Sequence, residues 1–181
     1  MQANLKYKSS VFTHLFDDPD LLRELYGALQ GISLPPDTPI AINTLDTSLF
    51  LDRYNDISSI IGGKLIVLLE HQSTICPNLP LRVLIYLAKL YEQRLTDDVV
   101  YSRKLITIPR PEFFVLYNGV EPYPDSKVLK LSDAFATLGA LGLADNILLD
   151  LEVIVYNVNE GRNQEIVQRC QKLAEYSVFI A

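Results

Sequence analysis

In LLRELYGALQG the apolar residues Leu21, Leu22, Leu25, Tyr26 and Leu29 recur at the spacing of one helix face, with Asp17-Asp18-Pro19-Asp20 ahead of them and Gly31 behind. The pattern predicts a helix of roughly three turns that stops at the glycine. Val11, Phe12, Leu15 and Phe16 form a shorter stripe upstream, so the N-terminal arm reads as helical and broken near Pro19. IAINTL alternates well enough for a strand from Ile40 to Leu45. Next, NDISSIIGGKLIVLLEHQS sets two β-prone runs on either side of Gly62-Gly63, a hairpin signal. Its second arm is apolar at every position from Leu65 to Leu69, which predicts a central strand covered on both faces.

Asn78 and Pro80 suit the start of a helix, and LRVLIYLAKLYEQRL places Leu84, Leu87, Ala88, Tyr91 and Leu95 on one apolar face. Pro109 and Pro111 break the chain before EFFVLYNG, a strand ended by Asn118-Gly119. From Lys127 to Asp150 no period stands out, and Gly139 and Gly142 argue against a long regular element. LEVIVYNV then reads as a strand, and NQEIVQRCQKLAEY as a closing helix with Ile166, Val167, Cys170 and Leu173 inward. The resulting order α, β, β, β, α, β, β, α predicts an α/β fold with a mixed central sheet flanked by helices. No repeat, low-complexity tract or linker divides it, so residues 1–181 are expected to form a single domain.

Composition narrows the classes. The chain has 181 residues with a net charge of −6, which disfavours a protein that coats nucleic acid nonspecifically through a broad basic surface. A metal-dependent nuclease remains compatible, because a cation site gathers carboxylates. Cys76 and Cys170 lack metal-ligand spacing and predict free thiols rather than a disulfide framework or a zinc site. No run approaches the roughly 18–20 apolar residues of a membrane span, and MQANLKYKSS carries no secretory h-region, so a cytoplasmic location is expected.

The chemistry concentrates at the end of the central strand. Glu70 and Gln72 are two apart, which on a regular strand puts them on one face, with the carbonyl of His71 between them and the side chain of His71 on the opposite face. Asp56 opens the partner arm. Two carboxylates and a backbone carbonyl make an oxygen-rich, partly open set suited to Mg²⁺ or Mn²⁺, an ion that activates water and offsets charge on a phosphodiester. Spacing alone leaves this reading beside a plain one, in which a strand end turns polar as it emerges into solvent.

The segments YKSSVFTHLF, LLRELYGAL, NDISSIIGGKLIVLLEHQST, NLPLRVLIYLAKLYE, KLITIPRPEFFVLYNG, KLSDAF and VYNVNEGRNQEIVQRCQKLAEYSVFI, in this order, resemble the Rpn family of recombination-promoting nucleases, also described as PD-(D/E)xK nuclease family transposases. The resemblance implies a restriction-endonuclease-like αβββαβ core, DNA as partner and substrate, and divalent-metal-dependent endonuclease activity linked to recombination or transposition. It assigns Asp56, Glu70 and Gln72 to catalysis, with Gln72 in the lysine position of the ExK signature, and Asp56, Glu70 and the His71 carbonyl to the metal. Two departures stand out. Ser9 occupies a position where similar sequences carry an acid, and Gln72 is neutral and supplies no charge to a transition state. Similar proteins also continue beyond EYSVFIA, which suggests truncation at the C-terminus. With the acidic total, these departures motivate the alternative of a catalytically weak or inactive DNA-binding or interaction module. Oligomeric state stays open, a homodimer among the options.

The hairpin carries a consequence for this assignment. A strict two-residue turn pairs Ile61 with Lys64 and Asp56 with Leu69, putting Asp56 and Glu70 on opposite faces. A shared site therefore predicts a three-residue turn or a bulge at the glycines, bringing Asp56 opposite Glu70. Arg82, the charge at the start of the long helix, is a candidate phosphate ligand, though a stem packed on the core reads equally well. Arg103 and Lys104, with Arg110, form a basic group that is either a phosphate contact or solvated surface. Ser58, Ser59 and Ser73 lack a nucleophile elbow, and Tyr86 and Tyr91 are read as packing residues.

Overall fold

The structure, a computed structural model, describes residues 11–44, 56–136 and 146–180; for residues 43, 44, 56, 65–71 and 180 it describes the backbone alone. Helix α1 covers residues 11–16, and α2 runs from Pro19 to Gln30. Asp18 caps α2 by accepting the N–H groups of Asp20 at 2.8 Å and Leu21 at 3.1 Å, so the Asp-Pro sequence starts the helix as the pattern predicts. Strands β1 (Ile40–Thr44), β2 (Asp56–Ile61) and β3 (Lys64–Gln72) follow. Helix α3 (Leu79–Arg94) and the short α4 (Asp97–Val100) lead to β4 (Arg110–Tyr117), β5 (Ser126–Lys130), β6 (Glu152–Asn157), α5 (Gln164–Val167) and α6 (Gln171–Ile180).

These strands form one mixed sheet in the order β1-β2-β3-β4-β6-β5, with β3, β4 and β6 parallel and the other pairs antiparallel. The α/β class with a mixed central sheet is what the sequence predicts. One face packs on α1, α2 and α6, where Phe12, Leu25, Cys170 and Leu173 meet Ile57, Phe114 and Leu116. The other face packs on α3, where Val83, Tyr86 and Leu90 meet Phe113, Val115 and Val155. A strand with alternate residues buried under opposite helix layers must be apolar at successive positions, and FFVLY in β4 meets that demand.

Three expectations need correction. The buried face of α3 is Leu79, Pro80, Val83, Tyr86 and Leu90; Leu84, Leu87, Tyr91 and Leu95 are half-buried and Ala88 is exposed. Both stripes of this helix are apolar, so periodicity alone does not choose between them. Burial of Leu79 and Pro80 at its first turn sets the phase instead. The closing helix is interrupted between Val167 and Gln171, where Glu24 of α2 accepts the Gln171 N–H at 2.8 Å and caps the second piece. Strand β5 was not legible because its residues are exposed or half-buried throughout, with no in-and-out alternation to read. Gly139 and Gly142 lie outside the described residues. Among the described residues, no helix is long and apolar enough to cross a membrane.

An ion-pair network fixes the start of the parallel strands. Glu112 of β4 takes Lys64 Nζ at 2.7 Å and Arg110 Nη2 at 3.4 Å, and it accepts hydrogen bonds from Tyr26 Oη at 2.9 Å and Gln30 Nε2 at 2.7 Å. Burial by itself raises the Glu112 pKa, but Lys64, Tyr26 and Arg110 outweigh it and hold the carboxyl below its ordinary value of 4.5. A depressed carboxyl contributes stability that is complete above its unfolded value and lost as pH falls through the folded one. Urea midpoints are therefore expected to drop from pH 6 to pH 3, and Glu112→Gln is expected to flatten that drop. An equal pH slope in the variant counts against the network.

Ser58 and Ser59 are both fully buried in β2, which closes off a nucleophile role for either. Among the described residues the Ser59 hydroxyl has no hydrogen-bond partner. Replacing it by a methyl removes an unmet polar group, so Ser59→Ala is expected to stabilise the fold by about 1 kcal/mol in urea titration.

Candidate active site

By backbone register Asp56, Glu70, His71 and Gln72 stand at the C-terminal end of β3, the end of a parallel sheet where chain crossovers open crevices. Gln72, Tyr117 and Asn157, the last residues of the three parallel strands, lie in one ladder row. Backbone bonds continue past them: Asn118 N–H donates to Gln72 O at 3.1 Å, and Val158 N–H to Tyr117 O at 2.8 Å.

The hairpin differs from the expected one. Ile61 pairs with Lys64 and Asp56 with Leu69, so the turn is the strict two-residue form without an extra residue. Gly62 at φ 55° and Gly63 at φ 84° both occupy the left-handed region, which is what a two-residue turn of this hand requires. The irregularity lies at the far end of β3. Leu69 pairs with Val115 and Gln72 with Tyr117, so Glu70 and His71 together stand opposite the single residue Leu116. This bulge changes the parity of the strand. Gln72 pairs with Tyr117, which with Val115 packs on the α3 side of the sheet, while Glu70 sits within the bulge itself.

Two readings are thereby corrected. Glu70 and Gln72 do not follow the simple alternation that a spacing of two implies, and His71 is not assigned to a face by that alternation either. The side chains of Asp56, Glu70 and His71 lie outside the described part of the structure, as do Ser9 and the rest of residues 1–10. Among the described residues, no group of three or more His, Cys, Asp or Glu side chains could hold a metal ion. The backbone places Asp56 one ladder row from the bulge. A bulge also takes backbone groups out of regular pairing, an arrangement compatible with an oxygen ligand set of Asp56, Glu70 and the His71 carbonyl.

Arg82 stands in the first turn of α3, just after the connector that leaves Gln72, and is exposed. Among the described residues it has no side-chain hydrogen bond or ion pair. Arg103 and Lys104 are exposed in the connector that enters β4 at its N-terminal end, away from Gln72. The chain order thus puts Arg82, and not the other two, at the Gln72 end of the parallel strands.

Sequence reasoning read Asn118-Gly119 only as a strand terminator. A Cβ on Gly119 would lie 2.3 Å from Ser73 O and 2.3 Å from Tyr117 Oη, so the connectors after β3 and β4 touch backbone to backbone. Asn159 Nδ2 donates to Gly119 O at 3.0 Å. Tyr117 donates its hydroxyl to Glu121 O at 2.9 Å, and burial, then the Glu121 charge, push its phenol up so that it stays protonated. The available signal was the repeated Tyr-Asn ending of two strands, Tyr117-Asn118 and Tyr156-Asn157. Both cysteines are free; burial pushes the Cys170 thiol up to about 11, which leaves it unreactive.

Comparison with family models, with curated proteins and with solved structures finds no match to this chain.

Proposed function

We propose that the chain is a divalent-metal-dependent DNA endonuclease with a PD-(D/E)xK-type core. The observation that supports this reading most is backbone proximity: Asp56, the first residue of β2, pairs one ladder row from a bulge that contains Glu70 and is closed by Gln72. The run of β1, β2, β3, α3 and β4 behind a helical layer is compatible with such a core, and the ordered resemblance to the Rpn family points the same way.

Asp56, Glu70 and the His71 carbonyl would hold Mg²⁺ or Mn²⁺. When bound, that cation supplies positive charge against the negative charge that gathers on the phosphodiester. Gln72 is neutral and both donates and accepts hydrogen bonds, so its part is to orient water for attack. The water oxygen forms a bond to phosphorus, a phosphorus–oxygen bond to the sugar breaks, and the leaving oxygen takes up a proton. Arg82, exposed in the first turn of α3, would steady a non-bridging phosphate oxygen through its planar fork.

Supercoiled plasmid incubated with Mg²⁺ or Mn²⁺ tests the reading. Nicking that disappears with EDTA is expected; intact plasmid under both metals rejects it. The net charge of −6 and Ser9 favour a second reading, a catalytically weak DNA-binding or interaction module. Band shifts of plasmid without nicking would select it.

A further inference from the structure

Helix α3 is apolar on two sides, and packing on the sheet uses one of them. Val83, Tyr86 and Leu90 face the sheet and are buried. On the opposite side Leu81 is 46% exposed, Ile85 is 50% exposed and Ala88 is open to solvent, with Leu84 half-buried on the flank. Leu81, Ile85, Ala88 and Glu92 follow one another at steps of four, three and four, so they form one line along the helix. Helix α4 runs beside that line, and Ile85, Ala88, Leu95 and Val100 help to line a groove of about 580 Å³ there. A helix side that meets only water carries polar residues, whereas a helix apolar all round is one that is covered all round. The described residues leave this side uncovered.

The charges along the line say what fits it. Arg82 stands beside its start and Glu92 closes it, both exposed, and Asp97 of α4 adds a second acid at the Glu92 end. The line is therefore cationic at one end and acidic at the other. A second copy of the chain laid antiparallel across it, with the two-fold axis between Ile85 and Ala88, meets each feature with its complement. Ile85 comes level with Ala88 of the second copy, a large side chain against a small one, and symmetry repeats the match. Arg82 comes within one residue's rise, about 1.5 Å along the helix, of being level with Glu92 of the second copy. Glu92 lies level with Leu81 of the second copy, which keeps the two glutamates apart. A parallel copy would instead set Arg82 beside Arg82 and Glu92 beside Glu92, which like charges oppose.

We propose that this outer side of α3 is the interface of a two-fold homodimer in which Arg82 of each copy pairs with Glu92 of the other. The assembly does not depend on the nuclease reading. Nor does it conflict with it, since the five N–H donors of Arg82 leave some for a phosphate oxygen when others hold a carboxylate.

Sedimentation velocity on the whole chain at protein concentrations up to about 100 µM tests the proposal, with thermal melting as the check on folding. Wild type is expected to reach twice the mass of one chain. Ala88→Arg puts a long charged side chain at the crossing and should raise the dimer Kd by at least about 100-fold, with a melting midpoint in dilute solution equal to that of wild type. Arg82→Glu and Glu92→Arg each set like charges against one another and should each raise Kd by at least about 10-fold. Mixed in equal amounts, these two variants restore opposite charges at both contacts and should form a heterodimer as tight as the wild-type dimer. Wild type that stays monomeric overturns the proposal and leaves this side of α3 to a partner of another sequence. A dimer indifferent to Ala88→Arg overturns it too, as does a mixture of the two charge variants that stays monomeric. Should Ala88→Arg fail to fold, the charge variants, both at exposed positions, decide alone.

Discussion

Alanine at Asp56 or at Glu70 is expected to lower metal-dependent nicking by at least about 10³-fold, the loss of about 4 kcal/mol of transition-state stabilisation that a ligated cation provides. The melting midpoint should move little. Asp56 is the first residue of β2, and backbone pairing survives truncation of a side chain. Glu70 lies in a bulge, outside the regular ladder. Loss of activity with an intact melting curve separates a ligand from a structural residue. Mn²⁺ titration by calorimetry adds an independent reading: binding heat present in wild type should be absent from both variants. Nicking within threefold of wild type in either variant would remove that residue from the site. Gln72→Ala should cost less, about 10-fold, because a neutral amide orients water without supplying charge.

The elements that were legible are those whose burial demand is one-sided or two-sided in a simple way. Helix α2 carries a cap, a proline and a glycine around one apolar stripe, and its bounds follow from them. Strand β4 is apolar from Phe113 to Tyr117 because helices cover both its faces, and β3, apolar in sequence from Leu65 to Leu69, stands inside the sheet between β2 and β4 as expected. The phase of α3 was not legible, since LPLRVLIYLAKLY offers apolar residues all round and tertiary contact through Leu79 and Val83 selects among them. The geometry around the proposed site was not legible. Two glycines announce a turn, and with both in the left-handed region the turn needs no third residue. The expected pairing of Asp56 with Glu70 is not the one observed: Asp56 pairs with Leu69, and the irregularity lies in the β3–β4 ladder, between Leu69 and Gln72. LEHQ contains no glycine or proline that would signal a bulge.

Gly119→Ala tests the fit between strand ends directly, and a loss of about 3 kcal/mol is expected, at the upper end of what an added methyl in a packed region costs. The estimate follows from what the methyl meets. One obstacle is the Tyr117 hydroxyl at 2.3 Å, which is buried and committed to Glu121 O and so cannot swing away without losing that bond. The other is the Ser73 carbonyl at 2.3 Å, a backbone atom that moves only if the connector after Gln72 moves with it. Separating the two connectors strains the Asn118 N–H bond to Gln72 O and the Asn159 bond to Gly119 O. Both lie next to the bulge that carries Glu70. The variant should therefore lose stability and nicking together, unlike Asp56→Ala, which should lose nicking alone. Equilibrium urea unfolding followed beside plasmid nicking distinguishes the two patterns. A Gly119→Ala protein as stable as wild type would mean that the connectors after β3 and β4 are not in contact as described, and the geometry of the proposed site would fall with that contact.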